Sequence, residues 1–243
     1  MNAKRLTIAA LCLATLVGLW IIGVAMFDQL ACEGQTVNNN ELPTEPQQIF
    51  GDRVVSQSFV APRNGLNRID LFLLTYGRKN SGEVTLRLLA LPDQVNNPLE
   101  GTELYRTTFN AATVSDQTWR TFLFPPLANS AGQTYAISLQ SPNSTDGNAI
   151  TVGGIERNPY RAGTAYLGAT PIPADMAFRS CYQMTAIKKL QVLAEQITRN
   201  RPTVWGNISF YGFILLSYGI VLLAFFWKLV KWVWDSLGPT NSQ

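Results

Sequence analysis

The sequence predicts a mainly β protein: an extracytoplasmic antiparallel β-sandwich of jelly-roll type, with about eight strands, flanked by two transmembrane α-helices. Two observations carry this reading. Between residues 50 and 182, short runs with apolar and polar residues in alternation are separated by Gly, Pro, Asn and Asp clusters, the pattern of antiparallel strands. Outside that region lie two uncharged apolar blocks, Leu6 to Phe27 and Ile208 to Trp227, in a chain with 47% hydrophobic and only 14% charged residues.

At 1.5 Å of rise per residue, helices over these blocks reach about 33 and 30 Å, enough for a hydrocarbon core of about 30 Å. Lys4 and Arg5 precede the first block, and Lys228 and Lys231 follow the second. The bias of positive residues toward the cytoplasm then places both termini inside and the middle outside, a two-pass protein of the cell membrane. Trp205 before the second block, and Trp227, Trp232 and Trp234 at or after its end, mark the headgroup zones. A cleaved signal peptide is the competing reading of the first block, although its apolar run exceeds the usual length of such a segment. Lipoprotein processing at Leu30-Ala31-Cys32 is a variant of it, disfavoured by Asp28 and Gln29.

The expected layout follows in order: a cytoplasmic N-terminus (1–5), transmembrane helix (6–27), stalk (28–49), β-sandwich (50–185), juxtamembrane amphipathic helix and linker (186–205), second transmembrane helix (206–227) and cytoplasmic tail (228–243). The stalk is assigned from Glu33 to Gln48, where Asn38-Asn39-Asn40, Pro43 and Pro46 offer nothing to build a core. Strands are expected where Ile69, Leu71 and Leu73, then Val84, Leu86 and Leu88, then Tyr135, Ile137 and Leu139 recur at every second position. Trp119, Phe122 and Phe124 supply the largest apolar side chains of the β domain and are expected to fill its centre, with Pro125-Pro126 ending their strand. From Ala186 to Asn200 the spacing turns helical, with Ile187, Leu190, Leu193 and Ile197 on one face and Pro202 as the stop. Ala10, Ala14 and Gly18 in the first block, and Ser209, Gly212 and Gly219 in the second, form small-residue strips suited to close helix packing.

Cys12 sits inside the first block, whereas Cys32 and Cys181 fall in the outer segment, where disulfides persist, and are expected to pair. The chain has no histidine, which removes the commonest general base, the Ser-His-Asp and Cys-His arrangements and the commonest zinc ligand. Its net charge of +3 arises beside the apolar blocks; from residue 28 to 205 the counts of Lys+Arg and Asp+Glu are equal. With no Gly-rich phosphate loop and no basic patch interleaved with aromatics, nucleotide and nucleic-acid partners are not expected, nor is any cofactor.

The order Gln57-Ser58-Phe59, Gly65-Leu66-Asn67-Arg68-Ile69-Asp70-Leu71, Trp119-Arg120-Thr121-Phe122-Leu123-Phe124 and Asp175-Met176-Ala177-Phe178-Arg179 resembles the jelly-roll, galactose-binding-like ectodomains of bacterial membrane-anchored proteins. The resemblance covers roughly residues 50–182, and it implies a β-sandwich of carbohydrate-binding ancestry.

Candidate sites are few. Asp175 and the Asp146-Gly147-Asn148 turn carry oxygens of the kind calcium prefers, although ordinary turn residues look the same. Tyr160 and Tyr166, with Arg157 and Arg161, lie in a Gly-bearing loop suited to a sugar ring or a protein partner, or to anchoring the loop itself. Asp70, Glu83, Glu103 and Asp116 show no spacing that sets two carboxylates across a cleft, as glycoside hydrolysis needs. The expected function is therefore a non-enzymatic, membrane-anchored binding module for a polysaccharide or protein partner. The alternative is an accessory subunit of a larger integral membrane complex. Expected partners are the lipid bilayer, membrane-protein subunits or a cell-surface glycan.

Overall fold

The computed structural model describes residues 14–18, 20, 21, 23, 24, 28, 30–35, 47–92, 97–156, 160–199 and 201–237. It divides into two units, residues 1–185 and 186–243.

The first unit is mainly antiparallel β. Strands β1 (Cys32–Gln35), β2 (Gln47–Ile49), β3 (Val54–Val60), β4 (Leu66–Leu74), β5 (Glu83–Leu91), β6 (Thr102–Asn110) and β7 (Thr118–Leu127) are followed by β8 (Thr134–Gln140) and β9 (Ile150–Val152). The last five are β10 (Gly154–Glu156), β11 (Ala165–Leu167), β12 (Thr170–Ile172), β13 (Ala174–Met176) and β14 (Phe178–Tyr182). One sheet runs β1-β14-β4-β9-β2, with β7 pairing β4 on its other side; a second runs β12-β11-β3-β8-β5-β6; β10 and β13 form a separate ribbon.

Alternation dictates which side chains meet between the sheets. Ile69, Leu71 and Leu73 from β4 share one core with Val84, Leu86 and Leu88 from β5 and Ile137 and Leu139 from β8. Rings cross the same space: Phe59 of β3 lies 5.5 Å from Phe178 of β14, and Phe109 of β6 lies 5.5 Å from Phe122 of β7. Edge-tilted pairs at this spacing suit the ring quadrupoles better than flat stacking.

Three expectations are corrected here. The segment assigned as a stalk is not free at its ends, because β1 pairs β14 residue for residue from Cys32↔Cys181 to Gln35↔Phe178, and β2 pairs β9. Polar composition does not prevent this, since an edge strand is held by backbone hydrogen bonds. Pro125-Pro126 do not end β7: the strand runs on to Leu127, and the register shifts between Leu66 and Arg68. Among the described residues β7 pairs only β4, so the missing N–H groups of the prolines are tolerated on an edge strand. The strand count also exceeds the expected eight, because Ile150 to Met176 holds five three-residue strands too short to alternate visibly.

The second unit holds a helix, Ala186–Thr198, a 3-10 turn, Thr203–Gly206, and a long helix, Ile208–Leu237. The Asn207 side chain accepts a hydrogen bond from the Ser209 N–H at 2.9 Å, which starts the long helix. Its stretch Ile208–Trp232 is long and apolar enough to cross a membrane, with mean hydropathy 2.2 and none of it buried. It continues past the expected end at residue 227 because nothing after Trp227 breaks a helix before Gly238. Among the described residues this is the one such span. The first apolar block lies largely outside them, so two transmembrane helices are not shown; its described positions, including Ala14 and Gly18, are helical, and Ala10 falls outside.

Candidate ligand-binding face

The outer side of the first sheet is built by parity. On β4 the inward residues are Ile69, Leu71 and Leu73, so Arg68, Asp70 and Phe72 point the other way. On β7, Phe122 and Phe124 are buried, which turns Trp119, Thr121 and Leu123 outward. On β14, Phe178 enters the core and Arg179 and Cys181 face out. Cross-strand pairing then sets Cys181, Arg68 and Leu123 in one row, Arg179, Asp70 and Thr121 in the next, and Phe72 beside Trp119 in the third.

Trp119 is thus not the central plug expected from its size. It lies an odd number of residues from Phe122, so a strand that buries Phe122 cannot also bury Trp119. Its ring packs 5.4 Å from the Phe72 ring, and the guanidinium of Arg179 lies 3.9 Å over it, a cation–π contact. Gly153 permits this arrangement, because a Cβ there would stand 2.9 Å from Phe72 Cδ1.

Charge on this face is organised around Asp70, which is 2% exposed. Arg68 donates to it through Nε at 3.0 and 3.2 Å and through Nη2 at 2.9 Å, while the Thr121 hydroxyl donates at 2.7 Å. Arg68 also reaches the exposed Asp28 through Nη1 at 2.9 Å. The hydrogen bond to Asp70 first, and that to Asp28 after it, hold the Arg68 pKa above its ordinary value. Arg179 shows the opposite shift, lowered because burial strips water from its guanidinium. Leu123, 64% exposed, adds apolar surface beside them.

Cys32 and Cys181 form a disulfide, with Sγ atoms 2.12 Å apart, at the rim of this face. With Asp70 they make the single group of three Cys, Asp or Glu donor atoms within 4.8 Å of one another among the described residues. Both sulfurs are spent on each other, so the group offers a metal one carboxylate.

The other sequence-predicted residues lie elsewhere. Asp175 is buried; its Oδ1 accepts from Gln57 Nε2 at 3.1 Å and its Oδ2 from the Tyr160 N–H at 2.7 Å, and burial raises its pKa. Asp146 stands in an exposed turn in which Asn148 accepts from the Thr145 N–H at 2.7 Å. Tyr160 is an anchor for its loop: its ring meets Phe178 edge-on at 5.4 Å, and its hydroxyl donates to the Val60 carbonyl at 3.3 Å. Arg161 is exposed in the following turn, Tyr166 is half-buried on β11, and Arg157 lies outside the described residues. Of the acids weighed for hydrolysis, Glu103 pairs with Arg106 and Asp116 accepts the N–H groups of Thr75 and Tyr76 at 2.6 and 3.1 Å. Glu83 is exposed at the start of β5. At Gly18, Gly212 and Gly219 an added Cβ meets nothing within 4 Å.

Sequence reasoning missed the outer face altogether. The signal was present, since counting by twos from Phe122 sends Trp119, Thr121 and Leu123 outward.

No family model matches the chain, and no curated protein matches it. Among solved structures it is similar to the crystal structure of the cysteine protease and lectin-like domains of a surface layer associated protein of Clostridium difficile. That match has 8% sequence identity and a TM-score of 0.39, over 55% of this chain and 32% of that one. The chain therefore spans about a third of that structure, and at such a distance the likeness bears on neither ligand nor catalysis.

Proposed function

We propose that this protein is a non-enzymatic, membrane-anchored binding module whose outer sheet face takes a cell-surface polysaccharide. In this reading two transmembrane helices hold it in the cell membrane, both termini are cytoplasmic, and the β domain, of jelly-roll type, stands outside. The single observation that carries the binding function is the rigid platform of Trp119, Phe72, Arg179 and Leu123, held on three paired strands. Such a mixed aromatic and guanidinium surface is what recognition of a flat amphipathic ligand uses.

A protein partner is the weaker reading for this face. An extended peptide gains affinity from main-chain bonds at a sheet edge. Here β4 is paired on both sides, and the open edge at β7 carries Pro125 and Pro126, which lack the N–H groups a ladder needs.

The test is to purify the full chain from native membranes in mild detergent, identify what accompanies it by mass spectrometry, and measure its retention on immobilised polysaccharides. Retention that Trp119→Ala abolishes is the expected result. Stoichiometric membrane subunits with no polysaccharide retained would instead make the chain an accessory subunit of a larger complex.

A further inference from the structure

We infer that the polysaccharide taken by the outer face is acidic, of the uronate type, and that Arg179 is the residue that reads its carboxylate. This inference rests on the binding-module reading above and names the ligand class for the same face.

Neighbouring cations on this face are unequally partnered. The two guanidiniums in adjacent rows, Arg68 and Arg179, share the surface with two carboxylates, Asp28 and Asp70, yet both carboxylates bond Arg68. Arg179 stands directly across the ladder from Asp70, but the Asp70 oxygens are taken by Arg68 and Thr121. Among the described residues no side-chain hydrogen bond or ion pair engages the Arg179 guanidinium; it rests on the Trp119 ring and feels Asp70 and Arg68 through space, the first favouring its charge and the second opposing it.

That contact decides what Arg179 can do. The guanidinium carbon lies 3.9 Å over the indole, so the ring covers one side of the group and N–H groups turned away from it remain for a ligand. A planar fork of this kind matches a carboxylate with two parallel charge-assisted hydrogen bonds. A half-buried cation whose neighbouring carboxylate, Asp70, already bonds Arg68 and Thr121 gains more from such a partner than a fully hydrated one would.

The surroundings suit a sugar chain. Three strands and three rows of side chains span about 10 Å by about 14 Å, given the strand spacing and the rise per residue. Phe72 and Leu123 offer apolar surface to pyranose C–H faces, and the exposed Thr121, in the same row as Arg179 with Asp70 between them, adds a hydroxyl oxygen that can still accept. One guanidinium fork takes one carboxylate, and the Asp70 charge, paired with Arg68, opposes a second negative charge at the same place more than the first.

The experiment uses the full chain in lipid nanodiscs and three probes: polygalacturonate, the same polymer with its carboxyls methyl-esterified, and polyglutamate as an acidic peptide. The expected result is binding of polygalacturonate, with the esterified polymer weaker by about tenfold or more, as loss of a charge-assisted pair implies. Arg179→Gln should lose about the same factor toward the acid polymer and nothing toward the ester, with Arg179→Lys in between. Because the Arg179 guanidinium makes no hydrogen bond or ion pair, the variants should keep the wild-type circular dichroism and shift the thermal midpoint by no more than a few degrees. Equal binding of acid and ester, or wild-type binding by Arg179→Gln, overturns the acidic assignment and leaves the module standing. Polyglutamate binding as tight as that of the sugar acid overturns the glycan class. No binding of any polysaccharide overturns both.

Discussion

Gln57 and Asp175 are 118 residues apart in the chain and are joined in the interior, where the Gln57 amide donates to Asp175 Oδ1 at 3.1 Å. The same amide group accepts the Met176 N–H at 2.8 Å and donates to the Ser58 carbonyl at 3.0 Å, so every hydrogen bond of a fully buried side chain ties β3 to itself or to β13. Replacing Gln57 with Leu removes the Met176 acceptor, one donor to a buried carboxylate and the donor to the Ser58 carbonyl. Losing these three bonds should cost about 3 to 5 kcal/mol, read as a lowered urea midpoint with unchanged slope.

Two aspartates should leave opposite marks on the pH dependence of stability. Burial raises the pKa of Asp175, so the folded state holds its proton more tightly; its contribution is full below the unfolded value of about 3.9 and is lost as pH rises through the folded value. Asp116 has its pKa lowered, chiefly by the Thr75 N–H it accepts. Its contribution is present above about 3.9 and is lost as pH falls through the folded value. Urea midpoints measured across the acid and neutral range should show Asp116→Asn flattening the acid limb and Asp175→Asn flattening the limb above it.

Outward placement makes Trp119 cheap to remove for folding. Trp119→Ala should cost about 1 kcal/mol, the loss of partial packing on a surface, whereas Phe122→Ala should cost about 3 to 5 kcal/mol by opening the core. Chemical denaturation of the two variants side by side tests the assignment, and equal losses would contradict it.

The disulfide closes a separation of 149 residues, for which loop-closure entropy gives about 4 to 5 kcal/mol. Cys181→Ser should lower stability by up to that amount. Peptide mapping of the wild type without reductant should recover residues 32 and 181 in one fragment.

Much of the β domain was legible because alternation reports burial directly. Ile69, Leu71 and Leu73, with their counterparts on β5 and β8, entered the core as their spacing requires. The cysteine pairing followed from counting thiols in one compartment. What escaped was set by long-range partners: β1 is a strand because β14 lies beside it, and Gln57 is buried because Asp175 and Met176 receive it. The candidate face was half legible. Parity placed Trp119 outward for anyone counting, but that Arg179 would rest on it depends on β14 pairing with β4, which no local pattern announces.

The bond between Cys32 and Cys181 also sets the path of mechanical load. The chain enters the β unit at one of these residues and leaves near the other, with their Cα atoms 4.0 Å apart. Tension drawn between the two ends of the protein passes from 32 to 181 through the sulfurs and bypasses everything between them. Of the platform strands, β4 and β7 lie outside this path and only the end of β14 past Cys181 carries the load, and a tug that would peel β1 from its neighbour by breaking hydrogen bonds meets a covalent stop first.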